Sequence, residues 1–192
     1  MEPKKDRTVI VTGGSSGIGR ATAELLLEQG WRVGVFSNDS DALAAMPESF
    51  DRHEVDVRHR EGVRSAVDAY AAKHGRIDAL VNCAGVSLWN DFLSMSEEFW
   101  DLIYDVNVKG TFLVTQAVAA HMVRDGGGII VNVASMSGLK SGMPQASAYA
   151  SSKWAIVGFS RNLHLELKSR GIRVGCIAPG STLTDIHREA GN

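Results

Sequence analysis

Thr8-Val-Ile-Val-Thr12-Gly13-Gly-Ser-Ser-Gly17-Ile-Gly19 is the stretch that decides the fold. It opens with a short β-branched apolar run, breaks at Gly13, and passes at Gly17 into an amphipathic pattern that runs to Gln29, with Gly30 as its stop. A strand, a glycine turn and a helix in that order let backbone pass close to a pyrophosphate. The helix N-terminus then offers unpaired N–H groups to it. The spacing is Gly13, three residues, Gly17, one residue, Gly19, which is not the plain G-x-G-x-x-G fingerprint. Taken alone, the stretch also reads as an ordinary packing turn.

The same alternation continues outward. Further strand patterns are Arg32–Phe36, a stretch ending Glu54-Val-Asp56, Ala79–Asn82, Gly128–Val133 and Ile172–Ile177. Between them lie helical patterns from Arg60 to Lys73, from Ser96 to about Arg124, and from about Ala146 to Ser169, with a short one from Asp41 to Met46 closed by Pro47. Six strands alternating with helices predict an α/β fold, a doubly wound parallel sheet with helices on both faces. In such sheets ligands collect outside the carboxyl ends of the strands, where each motif here falls. At 192 residues with 44% apolar, the chain is expected to form a single domain, 1–192.

Charge and composition exclude several classes. A formal net charge of −2 with interspersed signs provides no stripe for nucleic acid and no polybasic segment for a membrane. The polar start Met1–Arg7 lacks the apolar core of a signal peptide, and no run is long enough to span a bilayer, so the cytoplasm is the expected compartment. Cys83 and Cys176 lack metal-ligand spacing and read as small buried thiols. The histidines are scattered, so no metal is expected.

The second decisive motif is Tyr149-Ala-Ser-Ser-Lys153. Its two ends lie four apart in a helical pattern and share a face. An ammonium beside a phenol favours the phenolate, so Tyr149 becomes a workable acid and base. By itself such a pair is an ordinary surface feature of many helices. Together with the glycine loop it points to a nicotinamide-dependent oxidoreductase, in which the dinucleotide brings hydride and the Tyr/Lys pair brings the proton.

With these motifs in order, the whole chain resembles a classical short-chain dehydrogenase/reductase with its Rossmann fold. Thr12–Gly19 resembles the family's cofactor loop, Asn82-Cys-Ala-Gly85 its N-N-A-G turn, and Tyr149-x-x-x-Lys153 its catalytic signature. The resemblance implies catalytic roles for Asn107, Ser135, Tyr149 and Lys153. Tyr149 would protonate the carbonyl oxygen, Ser135 would hydrogen-bond it, Lys153 would hold the ribose hydroxyls, and Asn107 would hold a relay water. Ser137 is the alternative to Ser135, because the loop to Tyr149 is one residue longer than the family pattern. It further implies cofactor contacts from Gly13, Ser15, Ser16, Gly17, Ile18 and Gly19, from Ser37 and Asn38, and from Asp56 and Val57 beside the adenine. Asn82, Ala84, Gly85, Tyr149, Lys153, Pro179, Gly180 and Thr184 complete that set.

Three departures carry consequences. Cys83 replaces the second asparagine of the turn. Ser37 and Asn38 bring neither the acid that selects NAD nor the arginine that pairs with the 2′-phosphate of NADP; both donate to a phosphate, which favours NADP over NAD. Family members continue into a lid, a helix and a last strand, none of which follows before Asn192. The expected function is therefore NAD(P)-dependent interconversion of a carbonyl and an alcohol on a small-molecule substrate. The alternative is a dinucleotide-binding protein without turnover. A methyltransferase-like domain explains none of Asn107, Ser135, Tyr149 and Lys153. Trp89, Phe92 and Trp100 are candidates for either a substrate mouth or plain packing. The two long helices are apolar beyond one sheet's need, and the resemblance implies that they pair two subunits as a homodimer.

Overall fold

A computed structural model describes residues 7–140 and 142–182. The apolar runs become β1 (Thr8–Thr12), β2 (Arg32–Ser37), β3 (Asp51–Glu54), β4 (Ala79–Asn82), β5 (Gly128–Val133) and β6 (Ile172–Ile177). They pair in parallel in one sheet of order β3-β2-β1-β4-β5-β6. The order reverses between β1 and β4, which opens a crevice at the carboxyl ends of those strands.

Successive side chains of a strand face opposite ways. In β1, Val9 and Val11 pack with Ala23, Val33, Val35 and Leu43, beneath α1 (Gly17–Glu28) and α2 (Ser40–Ala44). Ile10 instead packs with Val67, Tyr70, Leu80, Val114 and Ile130, beneath α3 (Arg60–His74) and α5 (Thr111–Arg124). Every residue of β1 is buried as a result, each large aliphatic contributing about 1.5–3 kcal/mol. Tyr70, fully buried, donates its hydroxyl to the Arg32 carbonyl at 2.7 Å and accepts the Val9 N–H at 3.2 Å, so its polar tip ties α3 to β1 and β2.

Two local differences from expectation have physical causes. The predicted strand through Asp56 stops at Glu54, because the Asp56 carboxylate accepts the Arg58 N–H at 2.9 Å and turns the chain. The single helix predicted from Ser96 divides into α4 (Glu97–Tyr104), a π-helical segment Asp105–Gly110, and α5. At its centre the Thr111 hydroxyl donates to the Asn107 carbonyl at 2.8 Å, competing with the backbone ladder. α6 (Ser147–Lys168) buries a stripe that includes Ser152, Lys153 and Ser160, polar groups where packing alone calls for apolar ones. No helix among the described residues is long and apolar enough to cross a membrane.

Candidate active site

The crevice begins at the glycine loop. Gly13 has φ 61° and Gly17 φ 51°. A side chain at Gly19 would run into the Gly13 carbonyl oxygen, so the loop closes this tightly only with glycine there. Ser16 is the N-cap of α1 but makes no side-chain capping bond, which leaves the first N–H groups of the helix to an incoming anion. Across the switch point, the Thr12 hydroxyl accepts the N–H groups of Cys83 and Ala84, both at 3.1 Å, and ties the loop after β4 to the end of β1.

At the end of β2 the buried Ser15 hydroxyl donates to Ser37 Oγ at 2.7 Å, and the Asp39 N–H donates to the same oxygen at 3.2 Å. Ser37 thus accepts twice and keeps its own proton for a ligand. Asp39, two residues on, is engaged in capping α2 through the Ala42 N–H at 2.9 Å. Asn38 is exposed beside it. Asp56 is gripped by the Arg58 guanidinium, with Nη2 at 2.6 Å. Those bonds hold its carboxyl below the usual range, against the upward pull of burial. Val57 is buried next to it.

Gly85 joins this nucleotide crevice to the proton-transfer residues. A Cβ placed there would stand 3.1 Å from Asn107 Oδ1 and 3.3 Å from Lys153 Nζ, so a side chain would press both groups back by a few tenths of an ångström. The Asn107 amide, in the π segment, is held on three sides. Its Oδ1 accepts the Val86 N–H at 2.8 Å, and its Nδ2 donates to the Val86 carbonyl and to Ser152 Oγ, each at 3.0 Å. Ser152 in turn donates to the Tyr149 carbonyl at 2.7 Å. Lys153 is 7% exposed, and its Nζ donates to the Val133 carbonyl at 3.1 Å, which uses one of three protons. The same Nζ lies 5.8 Å from the centre of the Tyr149 ring. Burial brings the Lys153 pKa down to about 8, with Cys83 and Cys176 pulling it upward. Burial also pushes the Cys83 thiol up to about 12, against Lys153, so this sulfur stays protonated.

Ser135 follows β5, and its hydroxyl accepts the Ser137 N–H at 3.1 Å at the head of a short 3-10 turn. Pro179 reaches the same turn, its carbonyl accepting the Met136 N–H at 2.9 Å, with Gly180 alongside. Thr184 lies outside the described residues. Asn82 departs from the rest: its Nδ2 donates inward to Thr115 Oγ1 at 2.9 Å and Asn132 Oδ1 at 2.8 Å, so its side chain belongs to an interior ladder. The aromatics divide. Phe92 is exposed and lines a cavity, whereas Trp100 stacks on Tyr104 at 4.8 Å and Trp89 donates to Ser87.

Ser152, Val86 and the Val133 carbonyl were not singled out by sequence reasoning. Ser152 had a signal, a serine inside the Tyr/Lys motif facing the same way as the buried stripe. The two backbone partners had none.

A family profile described as short chain dehydrogenase matches residues 7–192. The chain is 38% identical over 181 residues to the 3-oxoacyl-(acyl-carrier-protein) reductase FabG of Thermotoga maritima, covering 91% of this chain and 73% of that protein. The structure of ElxO with NADP bound superposes with a TM-score of 0.88 at 28% identity, over 96% of this chain and 77% of that one. The 3-ketoacyl-(acyl-carrier-protein) reductase from Brucella melitensis complexed with NADH gives 0.88 at 27% identity, over 94% of this chain and 78% of that one.

Proposed function

The chain belongs to the short-chain dehydrogenase family and is an NAD(P)-dependent oxidoreductase; from that premise we propose that Asn107, Ser135, Tyr149 and Lys153 form its catalytic set. The observation that carries this reading is the buried Lys153 ammonium beside the Tyr149 ring, on one face of α6, backed by the Asn107 amide. The uncapped α1 N-terminus, the glycine-lined loop and the Ser37 hydroxyl at the end of β2 fit a dinucleotide. Bound there, the nicotinamide supplies hydride. Tyr149 gives its phenolic proton to the carbonyl oxygen of the substrate, and Ser135 hydrogen-bonds that oxygen. Lys153 favours the phenolate left behind and directs its remaining N–H donors at the ribose hydroxyls. Asn107 fixes the Val86 backbone beside the ammonium and positions a relay water. Run in reverse, the same groups oxidise an alcohol. The reading without turnover is not favoured, since relatives of this similarity are named as reductases.

The proposed cofactor contacts come from Gly13, Ser15, Ser16, Gly17, Ile18 and Gly19, from Ser37 and Asn38, from Asp56 and Val57, and from Ala84, Gly85, Pro179 and Gly180. The free proton of Ser37 and the engagement of the Asp39 carboxylate in capping α2 support NADP as the preferred form. Ser37→Asp is expected to shift preference toward NAD by about tenfold or more, because a carboxylate suits two ribose hydroxyls and repels a phosphate. Dissociation constants of both cofactors, measured by intrinsic fluorescence, decide it. A wild type that already binds NAD far more tightly than NADP refutes the preference.

The chain further reads as one domain working in the cytoplasm as a homodimer. α5 exposes Phe112 and Val123, and α6 exposes Trp154 and Leu165, large apolar groups on the two helices that a self-complementary two-fold contact would cover. Light scattering at micromolar concentration is expected to return the dimer mass. A clean monomer refutes it.

A further inference from the structure

Two loops flank the proton-transfer residues, one between β4 and α4 and one between β5 and α6. They are joined at one point, where the Asn90 N–H donates to the Gln145 carbonyl at 3.0 Å. Gln145 makes that bond with φ 64°, and no other non-glycine residue among those described has a positive φ. A backbone state of this kind persists only where its surroundings hold it, and such residues gather around ligand clamps. Beside the joint lies a cavity of about 180 Å³ whose walls include Phe92, Ser137, Met143, Ala146 and Ala150. Ser137 donates its N–H to Ser135 Oγ at 3.1 Å and Ala150 directly follows Tyr149 in α6, so the cavity lies beside the turn that carries Ser135.

Its walls are mixed, with the apolar surface of Phe92, Met143, Ala146 and Ala150 exceeding that of Ser137, Gln145 and Ser147. Phe92 is 70% exposed and Met143 52% exposed, and Leu93, Met136 and Leu139 on the same two loops are also open to water. Grouped apolar side chains left in solvent beside a reactive crevice mark a surface that a ligand covers. Lys140 also lines the cavity, and its stem can lie along an apolar ligand while its ammonium stays in water. Carboxylates, which would recognise the hydroxyls of a sugar, are absent from the lining.

Building on the carbonyl chemistry assigned above, we propose that this site takes carbonyl substrates bearing an apolar arm, seated between Phe92 and Met143, in preference to sugars and polyols. The arm anchors the substrate in the strained clasp at Gln145 and leaves the carbonyl to Ser135 and Tyr149.

The test is a series of methyl ketones from butanone to decanone, with a free aldohexose for comparison, assayed with NADH and NADPH. In parallel, calorimetry measures binding of each ketone to the protein with its cofactor. We expect kcat/KM and affinity to rise about threefold per added methylene until the cavity is filled. Met143→Ser and Phe92→Ser should each cut the long-to-short ratio by about tenfold, while Leu25→Ser, an exposed leucine on α1, should leave that ratio as it is. A flat series, or faster turnover of the hexose than of decanone, overturns the apolar arm and leaves the carbonyl chemistry standing. Chain-length-dependent binding without turnover of any ketone supports the arm and overturns the catalytic assignment instead.

Discussion

Tyr149→Phe is expected to lower turnover by a factor on the order of 10² or more, the scale of deleting a general acid. The substitution removes one oxygen and leaves the ring beside Lys153, and the bond from Ser152 to residue 149 runs to a backbone carbonyl, so the Asn107 network keeps its geometry. Cofactor affinity should therefore stay near its wild-type value, and the loss should fall on kcat. Steady-state rates with paired cofactor titrations separate the two. Turnover retained within a few-fold of wild type would sink the proposed chemistry.

Lys153→Met should act differently, because one ammonium serves two tasks. We expect activity to fall by about 10² or more and cofactor binding to weaken with it, since the Nζ beside the Tyr149 ring is also the group proposed to hold the ribose hydroxyls. The buried charge gives this variant a second signature. The folded value of Lys153, about 8, lies below its ordinary 10.5, so between those limits the unfolded chain holds more protons than the native one. The buried ammonium costs stability below about pH 8, and that cost is relieved as pH rises toward 10.5. Cofactor-free wild type should gain unfolding free energy relative to Lys153→Met across this window, while its cofactor affinity declines above pH 8 as the charge is lost. Denaturant melts of both proteins from pH 7 to pH 10.5 check the sign, and parallel curves for the two would remove Lys153 as the titrating group.

Most of the framework was legible because short-range signals and burial agreed. β1 is buried at every position, with an apolar centre between two β-branched threonines and helices on both of its faces, which is why Thr8–Thr12 was readable to the residue. Gly30 and Gly75 close their helices with φ 80° and 83°, as glycines past a helix end commonly do. Asn107 and Lys153 were recognisable by type and position. Their fixation was not, because it runs through the carbonyl of Val133 and the backbone of Val86, and a main-chain partner leaves no mark in the side-chain alphabet. Asn82 shows the converse. Its identity drew attention to the cofactor turn, yet two interior partners claim its amide once Thr115 and Asn132 are brought beside it by long-range packing. The interruption of the long helix was hidden for a similar reason, since Asp105-Val-Asn-Val-Lys-Gly110 holds no proline and its one glycine is tolerated within a helical pattern.

That interruption places an asymmetry on the way this sequence tolerates change in length. A π turn closes over one more residue than an α turn, so losing a single residue between Asp105 and Gly110 would restore a regular helix. The helices on either side would keep their present faces, because the bulge is what absorbs the extra residue, and the buried stripe of α5 from Leu113 to Met122 would stay on the sheet. The widened turn that sets Asn107 against Val86 and Ser152 would be lost instead. The tidier helix would be the poorer enzyme. Deletions here should be purged even though they improve local regularity, whereas substitutions at exposed positions of the same segment pass, and the extra residue persists as a length constraint that no individual side chain records.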